Sequence, residues 1–280
     1  MKNLVDSHRH FLPLHVLDSM RGAITVIDTH IHTNRSPDGM SHWKRVLQAM
    51  LSYRLDGGAI TDHDTVSKQG KMAQLAGKLN LLHIYGVELT TVYKNRFPHI
   101  VLLSANRNIL NALLKNSILH PSDMPIPLML RKMCYAATIY TTAPKLEKVV
   151  EWLSDHPEVI AVAAHPRTEV DHNRSFLRGL RADTLTSITL LELEKFVDVI
   201  QGIEVMNSLY NPHLDSLRLD FARKNNMLPF GGSDAHSAEG VGRIVTWFEG
   251  KYNNVVELLA ALKTKPLGTA YRGDSKLPNW

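Results

Sequence analysis

Two rhythms of apolar and polar positions take turns along the 280-residue chain. Short β-branched runs predict strands at 23–32 (AITVIDTHIH), 57–64, 80–89, 97–105, 159–166, 199–207 and 227–236. Longer stretches between them predict helices at 43–55, 67–79, 107–119, 143–156, 214–226 and 252–264. The segment 145–156, KLEKVVEWLSDH, places Leu146, Val149, Val150 and Leu153 on one helical stripe. Strands separated by helices imply parallel βαβ units, hence an α/β fold, either an open sheet or a closed barrel. Residues 1–23 read as an N-terminal extension, and 24–280 as one domain long enough for a single buried core. The stretch 106–142, with HPSDMPIPLML inside it, breaks the alternation and is expected to form a small helical insertion or lid.

The unusual polar residues fall at particular places on this map. His30 and His32 end the first strand, and Asp38 follows in the loop SPDG. Asp62, His63 and Asp64 end the second strand, and Glu88 ends the third. His165 ends the fifth, and Asp234 and His236 end the last. Nearly all lie where a strand hands over to a loop at its C-terminal end, the edge on which α/β folds build active sites. His99 begins its strand instead, and reaches the same rim if that strand runs antiparallel or enters from that side.

One word is written twice, DSHRH at 6–10 and DTHIH at 28–32. Histidines one residue apart on a strand point to the same side, so either copy could clamp a metal ion. TDHDT taken alone also fits a turn or capping role. The convergence of many such fragments on one rim is what turns the reading towards metal, because packing has no use for so many imidazoles and carboxylates together. This donor set suits Zn, Mn or Fe. The lone cysteine, Cys134, reads as a core residue and offers no soft-metal site.

Composition adds limits. A chain that is 44% hydrophobic and 21% charged is ordinary for a globular protein. The start, MKNLVDSHRHFLPLH, has no apolar signal region, and the longest apolar run, VIAVAA, is too short to cross a bilayer. With one cysteine, this suggests a reducing, cytoplasmic setting without membrane attachment. A net charge of +5 and a pI near 9.2 favour anionic partners such as phosphorylated small molecules or nucleic acid. Nothing points to a stable protein partner.

Taken together, DTHIHTNRSPDG, ITDHDT, GVEL, PHIVLL, AAHPR, GIEVMNS and GGSDAHS resemble the successive motifs of the PHP (polymerase and histidinol phosphatase) superfamily over about residues 24–250. The resemblance implies a distorted (β/α)7 barrel binding two to three divalent metal ions (Mn, Fe or Zn) at its C-terminal rim. It implies that His30, His32, Glu88 and Asp234 hold one ion, and that Glu88 bridges to a second held by His99 and His165. Asp38, His63 and His236 would hold the third. It selects the second copy of the twin motif, leaving His8 and His10 as a surface extension.

The implied activity is phosphate-ester hydrolysis by a metal-activated water, with a nucleotide or short oligonucleotide as substrate. A histidinol-phosphate-type phosphatase and a non-catalytic metal-bearing interaction module are the alternatives. Asp38, His63, Glu88 and His236 are the candidate catalytic residues, joined by Arg167, which could grip phosphate or form an outward salt bridge. Arg35 has a similar case, Asp62 or Asp64 could orient a ligating histidine, and Asn207 and Ser208 face the rim by position. Tyr271, Arg272 and Trp280 carry no functional signal.

Overall fold

The computed structural model describes residues 7–114, 142–168, 186–208, 211–265 and 267–272. Most of the expected insertion, together with Cys134 and Trp280, lies outside the described residues.

Ten strands form one mixed sheet: β1 (Leu12–Pro13), β2 (Ile24–Ile31), β3 (Gly57–Ile60), β4 (Leu82–Thr90), β5 (His99–Ser104), β6 (Ile160–Ala163), β7 (Gly202–Asn207), β8 (Leu228–Gly232), β9 (Ile244–Glu249) and β10 (Gly268–Tyr271). Their order is β1-β10-β9-β2-β3-β4-β5-β6-β7-β8. The helices are α1 (Trp43–Ser52), α2 (Gln69–Lys78), α3 (Arg107–Leu114), α4 (Leu146–Ser154), α5 (Leu190–Leu193), α6 (Pro212–Lys224) and α7 (Val255–Thr264). Each of the seven expected strands and six expected helices has a counterpart, with bounds shifted by a few residues; 115–119 of the third expected helix lie outside the described residues. Strands β1, β9 and β10 and the short α5, held by a Thr189–Glu192 capping box, were not expected. β9 pairs with β2 across most of the chain (Ile24 opposite Glu249), a partnership no local pattern reveals.

β2, β3 and β4 run parallel, as do β6, β7 and β8. β5 runs antiparallel to both its neighbours, with Thr90 opposite His99. That reversal brings the start of β5 to the rim where the parallel strands end, so His99 reaches it. The sheet curls until β8 packs against β2, β9 and β10. Side chains stitch this closure: Thr29 Oγ1 donates to the Gly231 carbonyl at 3.1 Å, and Gly231 N donates to Thr246 Oγ1 at 2.8 Å.

Inside the curl, Ile27, Ala59, Ile84, Val101, Ile160, Val162 and Phe230 pack on Leu258, Leu259 and Leu262 of α7. Two further apolar layers lie outside. One joins α1 and α2 to the sheet, the other α3 to α6. Burial of these layers supplies the main drive for folding.

The N-terminal segment corrects one expectation. His8 is exposed, but His10 is buried, its Nδ1 3.3 Å from Thr269 Oγ1 on β10. Beside it the Arg9 guanidinium lies 4.3 Å over the Trp247 ring and donates to Glu249 at 2.9 Å. The first histidine pair is therefore not a surface feature as a whole. Half of it is packed against β9 and β10.

Candidate metal centre

Strict alternation along β2 would put His30 and His32 on the face of Ile24 and Val26, which pack outward under α1 and α2. The β2–β3 register slips between Asp28 and Ile31. A slip of this kind re-aims the side chains that follow it. Ile31 takes the outward place, and both histidines turn inward, fully buried, above Ile27.

Glu88, at the end of β4 and 1% exposed, is the hub. Its Oε1 lies 2.8 Å from His99 Nδ1 and 3.0 Å from His165 Nε2. Its Oε2 lies 3.2 Å from His30 Nε2, 3.1 Å from His32 Nε2 and 3.2 Å from His63 Nδ1. Despite those neighbours, Oε2 has no hydrogen bond in acceptable geometry. His30 and His32 aim their Nε2 atoms at each other, 3.1 Å apart, where two nitrogens can share only one proton. Asp234 Oδ1 completes this corner, 3.1 Å from His32 Nε2 and 3.5 Å from His30 Nε2. On the open side Asp38 Oδ2 lies 3.1 Å from His236 Nε2 and 3.4 Å from His63 Nε2.

The outward nitrogens are occupied instead. His32 Nδ1 meets Ser36 Oγ at 3.2 Å, and His165 Nδ1 meets Ser187 Oγ at 3.1 Å. His236 Nδ1 donates to the Asp234 carbonyl at 2.9 Å. The outward nitrogens can thus carry the ring protons in a metal-bound state and leave the inward ones to a cation; without it, His99 Nδ1 and His165 Nε2 donate to Glu88 Oε1. Donor atoms within 4.8 Å of one another form three groups: His30–His32–Glu88–Asp234, His32–Asp38–His63–His236 and His63–Glu88–His99. An unbonded buried carboxylate oxygen among converging ring nitrogens fits a divalent cation.

Electrostatics agree. Burial disfavours every charge here, yet the imidazoles of His63, His30 and His99 hold the Glu88 carboxyl well below its ordinary range. Asp38 is likewise held far down against burial by His63 and His236, and Asp234 by His30 and His32. At His32, the facing carboxylates of Asp234 and Glu88 outweigh burial and lift the ring to about 10. At His99 burial wins, and its pKa falls to about 4. The carboxylates stay anionic, and the compensating positive charge sits on ring protons that a cation would displace.

Residues 28–208 match the family model described as PHP domain, and residues 217–265 match one described as PHP-associated. The chain belongs to the PHP family. Among solved structures it is similar to a protein of Bifidobacterium adolescentis assigned as a metal-dependent phosphoesterase, with 19% identity and TM-score 0.56 over 77% of this chain and 90% of the other. An amidohydrolase from Chromobacterium violaceum, solved with bound sulfate and no metal, gives 19% identity and TM-score 0.57 over 86% and 98%. The lesion-specific endonuclease of Pyrococcus furiosus gives 15% identity and TM-score 0.54 over 88% of this chain but 57% of its own. At these identities the likeness is one of fold. No curated protein sequence matches the chain.

Within the PHP site, the supporting residues differ from expectation. Asp62 orients no histidine among its described bonds. It accepts from Thr33 N at 2.6 Å and Thr33 Oγ1 at 2.8 Å, tying down the loop after β2. Asp64 accepts from Thr90 N at 2.7 Å, joining the rim ends of β3 and β4. Arg35 reaches Ser67 Oγ at 3.2 Å. Arg167 is buried rather than outward-facing, next but one to His165. Asn207 Nδ2 donates to Glu204 Oε2 at 2.7 Å, and Ser208 Oγ stands 3.3 Å from Asp234 Oδ2. Two residues went unforeseen. Asp28, buried and pushed up by burial to about 6, accepts from Ser233 N at 3.0 Å and Gly242 N at 2.8 Å, latching β2 to the segment after β8. Glu204, inside β7, meets His30 Nδ1 at 2.8 Å. A lone carboxylate in the apolar run GIEVMN was the available signal, since a buried charge requires partners.

Proposed function

We propose that the chain is a metal-dependent phosphoesterase whose centre takes two to three divalent ions, Mn, Fe or Zn. In this reading β2 to β8 are the seven strands of a distorted barrel. His30, His32, Glu88 and Asp234 hold one ion, Glu88, His99 and His165 a second, and Asp38, His63 and His236 a third. The observation that carries the reading is Glu88, with both oxygens faced by imidazoles and one of them buried without a hydrogen bond. Divalent ions in such a setting lower the pKa of bound water and neutralise phosphate oxygens.

The chain's own residues set where the substrate lies. The side chains of His30, His32 and Glu88 are at most 1% exposed, whereas His236 and Asp38 reach 32% and 25%. The phosphate therefore approaches over Asp38 and His236, with Glu88 beneath it. Arg167, beside His165, supplies a planar cation for a non-bridging oxygen. A nucleotide or short oligonucleotide suits the basic balance of the chain, and an endonuclease among the similar folds supports that choice. The single cysteine suits work in the cytoplasm. Among the described residues no helix is long and apolar enough to cross a membrane.

The test is a substrate panel with added Mn²⁺: p-nitrophenyl phosphate, its bis-ester, mononucleotides, phosphorylated metabolites including histidinol phosphate, short oligoribonucleotides and carboxamides. Turnover of nucleotide or oligonucleotide phosphates ahead of the rest is expected. Preference for histidinol phosphate would overturn the substrate class, and activity confined to carboxamides would overturn the phosphoesterase reading. Metal binding without turnover of any ester would leave an interaction module.

A further inference from the structure

Strand β7 contributes none of the nine residues proposed as ligands, yet Glu204 inside it and Ser208 just after it touch three of them. Glu204 is 1% exposed and uses both carboxylate oxygens. Oε1 lies 2.8 Å from His30 Nδ1. Oε2 accepts from the backbone N–H of His165 at 2.7 Å and from Asn207 Nδ2 at 2.7 Å. Asn207 Oδ1 in turn lies 2.6 Å from Ser208 Oγ, which stands 3.3 Å from Asp234 Oδ2. One chain of polar contacts thus runs from His30 and His165 through β7 to Asp234.

From this geometry we infer that Glu204 is the positioning residue of the centre, fixing the proton of His30 and the backbone of His165 with one carboxylate. The inference rests on the metal reading above. A carboxylate offers only lone pairs, so a ring proton of His30 must sit on Nδ1, and Nε2, aimed at His32, Glu88 and Asp234, is the nitrogen left for a cation to take. His165 has φ +31°, a backbone conformation that residues other than glycine rarely adopt. Its N–H bond to Glu204 is what holds it there, and that turn carries the ring to Glu88. The surroundings are cut to fit the pair. A Cβ on Gly232 would come within 2.6 Å of His30 Cβ and 2.8 Å of Glu204 Oε1, so only glycine leaves them room.

The chemistry separates this role from simple packing. Glutamine has nearly the shape of glutamate but one acceptor oxygen and one donor nitrogen. In Glu204→Gln the amide nitrogen must face either His30 Nδ1–H or the N–H groups of His165 and Asn207. Either donor then meets donor, or His30 must carry its proton on Nε2, the nitrogen the centre needs free.

Two measurements test it. The first needs no variant: long-range ¹H–¹⁵N spectra of metal-free, ¹⁵N-histidine-labelled protein, with His30 assigned by its loss in His30→Asn. The expected result is a proton on Nδ1; a His30 protonated on Nε2 alone would overturn the inference. The second is titration of wild type and Glu204→Gln with Mn²⁺ by calorimetry, alongside thermal melts. Affinity in Glu204→Gln should fall about 10–100-fold, with a melting temperature close to wild type. Unchanged affinity would sink the positioning role. A large drop in melting temperature with wild-type affinity in the folded fraction would reduce Glu204 to a packing residue. If wild type binds no Mn²⁺, Zn²⁺ or Fe²⁺ at all, the metal reading fails, while the tautomer of His30 still judges Glu204.

Discussion

His99 Nδ1 stands 2.8 Å from Glu88 Oε1, although the two residues sit on strands running in opposite directions. Every other imidazole near Glu88 arrives from a strand end or the loop beyond it. His99 arrives from a strand start, carried there by the reversal of β5. The carboxylate is thus approached from β2, the loop after β3, β5 and the loop after β6, and no one element can shift without disturbing it.

Glu88→Gln should therefore be disabling while remaining nearly isosteric. The variant keeps one acceptor oxygen but loses the charge that faces five imidazoles. Retained metal, measured by plasma mass spectrometry after loading with Mn, Fe or Zn, should drop by at least one equivalent. Phosphoesterase activity should fall more than about 100-fold, beyond the usual effect of losing a supporting residue. Full metal content and activity in this variant would contradict the bridging role.

The twin histidine motifs should separate cleanly. His30→Ala with His32→Ala should abolish turnover, since both rings are buried with inward nitrogens. His8→Ala should change neither turnover nor stability. His10→Ala should leave turnover intact but cost about 1–2 kcal/mol in urea denaturation, the usual cost of losing a buried polar contact and its packing. Activity that depends on His8 would show the first motif to be functional after all.

Arg167→Ala should leave the metal content unchanged and lower turnover about 10–150-fold, the equivalent of about 1.5–3 kcal/mol for a charge-assisted hydrogen bond made in the transition state. Arg167→Lys should recover only part of this, because an ammonium lacks the planar fork. A rise in KM at constant kcat would mean ground-state anchoring instead. Wild-type kinetics in the alanine variant, with intact fold and metals, would remove Arg167 from the substrate site.

A pH effect on stability should arise away from the centre. His83, on β4, is 5% exposed, neither of its ring nitrogens has a hydrogen-bond partner, and burial lowers its pKa to about 4. The unfolded chain takes up that proton near pH 6.5, the folded one only near 4. Between those values the unfolded state binds more protons, so stability is full above about 6.5 and declines as pH falls towards 4. The loss reaches at most about 3 kcal/mol. In His83→Leu, the difference in urea stability between pH 7 and pH 4.5 should shrink by a measurable part of that. An unchanged difference would mean that His83 is protonated in the fold.

The sequence made some of this legible and hid the rest for physical reasons. The polar residues at the rim could be found because each interrupts or ends an apolar run, and strand ends are where a sheet can hold charge. His30 and His32 were readable as a same-side pair from their spacing. Their turn towards the interior was not, because it depends on the slip between Asp28 and Ile31 against β3. TDHDT was ambiguous for a good reason: Asp62 and Asp64 do tie loops and strand ends, while His63 between them joins the cluster. Glu204 escaped because attention to strand ends passes over a residue inside one. Its role depends on β7 lying beside β8, where Gly232 leaves space. The pairing of β9 with β2, and of β1 with β10, needed the whole chain to be in place.

Leu258, Leu259 and Leu262 of α7 fill the inner end of the curled sheet. Their partners, such as Ile27, Ala59, Ile84 and Leu228, lie on the strands before the residues that reach the rim, so among the described residues the interior is filled on the side away from it. If the substrate is a nucleic acid strand, as proposed, that filling leaves it no path between these leucines. A polymer would have to lie across the mouth with one phosphodiester dipped towards Glu88, or present a free end to it. Products would leave by the same door through which the substrate came. Departure and arrival would then compete for one opening, and turnover on longer strands would slow as the severed pieces became harder to clear.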